Sequence, residues 1–176
     1  MFANIGIPML FVQLPYLAVV LAPVIGVEAL VFRRRLHLPW RESLRGAARA
    51  NLISTFVGFP LAWLALFVLQ ILAGGGRAWG LETPGARLAA VTLQAPWLIP
   101  YTGELYWMIP AASLVLLVPS LPVSALIEGR QLRRRWGQVA ASRVWGAVWL
   151  ANGLSYALLL ALGVARLYLA LHRDWA

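Results

Sequence analysis

The feature that most constrains this chain is the length of its charge-free runs. No charged side chain occurs before Glu28, none between Asn51 and Gly76, none between Leu105 and Ile127, and none between Val144 and Ala165. A run of roughly 20 apolar residues matches the hydrocarbon core of a bilayer. The spacing therefore predicts an all-α integral membrane domain with four spans, at about 7–32, 51–73, 105–127 and 144–169. Pro15 and Pro23 fall inside the first and are expected to bend it, while Gly74-Gly75-Gly76 ends the second as a turn. Between spans two and three, 88–99 is apolar but short and flanked by Pro84 and Pro100. A full crossing there would place the two arginine-rich segments on opposite sides. It reads instead as an interfacial or re-entrant piece on the outer face, with the interfacial reading preferred.

Charge sets the orientation. Of 176 residues only 12% are charged, and the net charge of +9 rests on fifteen arginines without a lysine. Six of them (Arg33, Arg34, Arg35, Arg41, Arg45, Arg49) follow the first span and five (Arg130, Arg133, Arg134, Arg135, Arg143) follow the third. The positive-inside rule puts both groups in the cytoplasm and both termini outside, as in a multi-pass protein of a bacterial cytoplasmic membrane. Trp97, Tyr101, Tyr106 and Trp107 then mark the outer interface, and Trp40, Trp136 and Trp145 the inner one. The triplets Arg33–Arg35 and Arg133–Arg135 are expected to meet anionic lipid head groups. Arginines confined to short connections between apolar runs do not form a nucleic-acid surface. No polar block is long enough to fold as a separate soluble domain.

The two halves share an order of residues. Pro23-Val24, Glu28, Arg33-Arg34-Arg35, Asn51 and Ser54 reappear as Pro122-Val123, Glu128, Arg133-Arg134-Arg135, Asn152 and Ser155, at offsets of 99 to 101. Each half enters the membrane with the same polarity, so the expected arrangement is two parallel-repeat hairpins related by an axis along the membrane normal.

Glu28 and Glu128 each precede an arginine triplet by five residues, roughly 7.5 Å along a helix, just inside the interface. Ionisation there is costly unless the carboxylate is paired. Asn51 and Asn152 open the returning spans at a similar depth, so a Glu–Asn or Glu–Arg clasp across each hairpin is the structural expectation. The functional one is an ion or proton site shared by the two carboxyls. On the fourth span Gly153, Ala157, Ala161 and Ala165 form a ridge of small residues, expected to pack within the chain or to dock a partner or second copy. Ser54, Ser113, Ser120 and Ser155 are expected to bond back to their own helices.

Signals of catalysis are poor. His37 and His172 lie far apart, and there is no cysteine, no HExxH and no phosphate-binding glycine loop. No metal or cofactor is expected.

Glu28-Ala29-Leu30-Val31-Phe32-Arg33-Arg34-Arg35-Leu36 and Ala50-Asn51-Leu52-Ile53-Ser54-Thr55-Phe56-Val57-Gly58 resemble the FraC family of cyanobacterial filament-integrity membrane proteins, over the first hairpin only. Gln94–Tyr101 and Tyr106–Ala112 look like uncharacterised bacterial membrane proteins of the same layout. The FraC resemblance implies a structural role at septal cell–cell junctions, without a cofactor, and assigns no functional residue. Residues and resemblance together lead to a non-enzymatic membrane protein, a subunit or scaffold of a larger assembly, with other membrane subunits or further copies of itself as partners. The alternative is a small ion or proton channel or transporter using Glu28 and Glu128. A weaker third expectation is lipid handling by the basic face.

Overall fold

The structure, a computed structural model, describes residues 14–73, 80–94 and 107–172. Every regular element among them is helical: α1 (Leu14–Leu36), α2 (Trp40–Leu72), α3 (Pro84–Ala89) continued by a π-helical turn (Ala90–Gln94), α4 (Met108–Arg135) and α5 (Ala141–Leu171). Three of them, α2, α4 and α5, are long and apolar enough to cross a membrane. In their most apolar windows only 12%, 22% and 6% of residues are buried within the chain. Such outward apolar surface is stable only against another apolar phase, and a bilayer supplies one.

The arginine-bearing segments are helical, not loops. Arg33, Arg34 and Arg35 form the last turn of α1, Arg133, Arg134 and Arg135 the last turn of α4, and Arg41, Arg45 and Arg49 lie within α2. Arginine is a good helix former, so nothing stops a helix from extending beyond its apolar part, and cations favour a helix C-terminus. The connections shrink to 37–39 and 136–140. His37, at φ 55, turns the chain out of α1 in the left-handed region. The freed Arg35 carbonyl accepts a bond of 3.1 Å from Arg143 Nη2. Pro23 lies inside α1. The expected first-span residues before 14, the triple-glycine turn, residues 95–99 and the aromatic residues Trp97, Tyr101 and Tyr106 lie outside the described residues.

The chain divides into two compact units. One comprises 16–61 and 118–159. Its core joins Ala29, Phe32 and Leu36 of α1, Ala47 and Ala50 of α2, Ala125 and Leu132 of α4, Trp136, and Val144, Ala147, Val148 and Ala151 of α5. Phe32 and Trp136 meet edge to face, with ring centroids 5.3 Å apart. Glycines on α2 and α4 leave room for the rings of Trp136 and Trp145. A Cβ on Gly46 would lie 2.5 Å from the Trp136 ring, and one on Gly129 would lie 2.1 Å from the Trp145 ring. Glu42 closes the polar end: Arg135 reaches it at 2.8 and 3.1 Å, and Trp136 Nε1 at 3.0 Å.

The other unit includes the described residues 62–73, 80–94, 107–117 and 160–172. Here Thr83 caps α3 through the Ala86 amide at 3.1 Å. Ala90 and Val91 are buried against Met108 and Ala112, with Leu81, Trp107, Ala111 and Val115 around them. The helical stretch from Pro84 to Gln94 covers roughly 16 Å at 1.5 Å per residue, well short of a crossing. Its apolar side is spent on the start of α4.

Candidate functional site

Periodicity decides which residues the first unit buries. On α2 the buried positions include Ser43, Gly46, Ala47, Ala50, Asn51 and Ser54; on α5 they include Val144, Ala147, Val148, Ala151, Asn152 and Ser155. Steps of three, one, three, one and three define one helix face, and the second set follows the first at a constant offset of 101. Each face is apolar or small except toward its end, where Asn and then Ser are carried inward one turn apart.

Those four side chains converge on two carboxyls that are themselves 1% exposed, Glu28 of α1 and Glu128 of α4. Asn51 Nδ2 donates to Glu28 Oε2, and Asn152 Nδ2 donates to Glu128 Oε2 at 2.9 Å. The serines cross over: Ser155 Oγ hydrogen-bonds with Glu28 Oε1 at 2.9 Å, and Ser54 Oγ with Glu128 Oε1 at 2.8 Å. Each glutamate is thus held by the asparagine of the helix that follows it and by the serine of the other returning helix. All four carboxyl oxygens have a side-chain partner, and α1, α2, α4 and α5 are tied through one cluster.

The amides are oriented by their own helices. Asn51 Nδ2 also donates to the Ala47 carbonyl at 3.0 Å, and Asn152 Nδ2 to the Val148 carbonyl at 3.2 Å. A main-chain carbonyl only accepts, so the NH2 group must face it, which settles the amide orientation. Both hydrogens of each amide are then engaged. Asn152 Oδ1 is left buried without a partner among the described residues. Beside the cluster, Ser124 Oγ and Tyr156 Oη lie 2.9 Å apart.

The Glu–Asn contacts are those the spacing suggested. No arginine takes part: the one ion pair among the described residues joins Arg135 to Glu42. The serines were expected to bond back to their own helices, and they do so at 3.1 Å to the Asn51 and Asn152 carbonyls. Their second contact, across to the other glutamate, was not expected. The signal that marks it in retrospect is that Ser54 and Ser155 share the asparagines' offset.

The ridge expected on α5 is not buried by the described residues. Gly153, Ala157, Ala161 and Ala165 are all exposed, and a Cβ on Gly153 would meet nothing within 4 Å. The reason is angular. At about 100° per residue, Gly153 points away from the face carrying Val148, Ala151, Asn152 and Ser155. Of the basic triplets, Arg33, Arg34, Arg35, Arg134 and Arg135 are exposed, and half-buried Arg133 reaches the Val139 carbonyl at 3.4 Å. The bonds from Arg135 and Trp136 hold the Glu42 carboxyl, outside the charge-free run, below the usual carboxylate range.

Among the described residues no three His, Cys, Asp or Glu side chains are placed to hold a metal ion. His172 stacks on Tyr168 at 4.1 Å, and His37 is exposed in the α1–α2 connection. No family model, no curated protein and no solved structure matches this chain.

Proposed function

We propose that this chain is a non-enzymatic integral membrane protein that acts by assembly, as a subunit or scaffold of a larger membrane complex. The observation that carries the reading is the open ridge of α5. Gly153, Ala157, Ala161 and Ala165 are exposed along one helix, and no described side chain is seated on Gly153. Small residues spaced by four permit close backbone approach of another helix, the contact by which membrane helices associate. The buried polar cluster supports the same reading, since all four carboxyl oxygens are already engaged by side chains of the chain itself.

The finer architecture belongs to this proposal. Four spans form two parallel hairpins, α1–α2 and α4–α5, in a bacterial cytoplasmic membrane, with the arginine-bearing ends inside. The equivalent partners of Glu28 and Glu128, and the constant offset between the buried faces of α2 and α5, support a repeat. Exposed arginines at the ends of α1 and α4 suit anionic head groups.

Blue native electrophoresis after mild extraction tests the proposal. The parent should migrate as a complex, and Ala157→Leu with Ala161→Leu should shift it to the monomer position while leaving the fold intact. A parent that runs only as a monomer, with no co-purifying protein, contradicts it.

A further inference from the structure

The polar cluster contains fewer hydrogens than its geometry uses. Asn51 and Asn152 contribute two amide hydrogens each, all committed to Glu28, Ala47, Glu128 and Val148. Ser54 contributes one, yet its Oγ lies 2.8 Å from Glu128 Oε1 and 3.1 Å from the Asn51 carbonyl. Ser155 repeats this, at 2.9 Å from Glu28 Oε1 and 3.1 Å from the Asn152 carbonyl. Eight contacts are therefore served by six side-chain hydrogens. The shortfall is one hydrogen at each serine. A proton on each glutamate removes it: the carboxylic O–H donates to the serine oxygen, and the serine hydrogen passes to the carbonyl three residues back.

A second observation is independent of that count. Asn152 is 0% exposed, and its Oδ1 has no partner among the described residues. Since the Val148 carbonyl fixes the amide orientation, this oxygen stays an acceptor and demands a hydrogen from outside the cluster. A buried water meets such a demand. Among the described residues no arginine pairs with either carboxyl, and the polar neighbour on α5, Tyr156, is neutral and bonded to Ser124.

We propose that this cluster is a binding site for two protons and one water, in which Glu28 and Glu128 are neutral carboxylic acids. Each donates to the serine of the other hairpin, and the water donates to Asn152 Oδ1. The site stands apart from the assembly surface on α5, so either proposal can fail without the other.

Infrared spectroscopy of the intact protein in liposomes at neutral pH reads this directly. The parent should show a protonated-carboxyl C=O stretching band that moves on exchange into deuterium oxide. Glu28→Gln and Glu128→Gln should each remove about half of it, and the double variant all of it. Glutamine suits the test because its Oε1 accepts from asparagine while its Nε2–H donates to serine, as the neutral acid does. A parent spectrum with carboxylate bands alone overturns the proposal, whether or not the variants fold. Carboxylate bands that shift when sodium or potassium is added overturn it in favour of a metal-cation site.

Discussion

Replacing Ser54 or Ser155 by alanine removes a single hydroxyl from the buried cluster and leaves the rest of the side chain in place. The lost contact is the one of 2.8 Å from Ser54 to Glu128 or of 2.9 Å from Ser155 to Glu28. What remains is a carboxyl oxygen buried with no side-chain partner, since the asparagine bonds the other oxygen. A buried polar atom stripped of its partner costs about 1–3 kcal/mol. Interhelical hydrogen bonds in membrane proteins sit lower, averaging about 0.6 and reaching about 1.7 kcal/mol, because the separated helices find other partners. Full burial of Ser155 and 5% exposure of Ser54 place these two toward the upper end, at about 1–2 kcal/mol each. That is a roughly five- to thirtyfold change in the folding equilibrium. Both bonds belong to one network, so the double variant should deviate from additivity. Reversible unfolding by a denaturing detergent in mixed micelles measures the change, with Thr55→Ala, an exposed neighbour, as the control. If Ser54→Ala and Ser155→Ala match Thr55→Ala within a few tenths of a kcal/mol, the serines do not bind the glutamates of the neighbouring helices.

Three further outcomes follow from the packing. Gly129→Ala places a Cβ 2.1 Å from the Trp145 ring and should destabilise by about 1–3 kcal/mol in the same unfolding assay. Gly163→Ala meets only the flexible end of Leu114, at 2.5 Å, and should cost less than Gly129→Ala. Glu42, its carboxyl held below the usual range by Arg135 and Trp136, supports the fold at neutral pH. That support fades as pH falls through the lowered carboxyl range; being half-exposed and open to salt screening, the pair should give a small effect, and Glu42→Gln should abolish its acid dependence.

Much of this fold follows from the sequence by simple physics. Charge-free runs mark α2, α4 and α5, and the pairing of Glu28 with Asn51 and of Glu128 with Asn152 follows from depth. Helix ends were harder to place: arginine reads as loop by polarity, yet Arg33–Arg35 and Arg133–Arg135 are helical, because propensity and not solvation governs there. The crossed serine bonds are tertiary facts. A helical serine looks alike whether its hydroxyl turns back to the i−3 carbonyl alone or also reaches a neighbouring helix. Orientation of the α5 ridge was equally hidden, because small residues at a spacing of four mark a possible interface without saying which helix fills it. Burial of the Asn152 face turns Gly153 outward, and no described side chain covers it.

Site-specific photo-crosslinking in the native membrane addresses the assembly role most directly. A photoreactive residue in place of Ala157, on the open ridge, is compared with one in place of Phe56, which is 76% exposed on α2. Assembly through α5 predicts a discrete protein adduct of higher mass from position 157 and only lipid adducts from position 56. Lipid adducts alone at both positions contradict it.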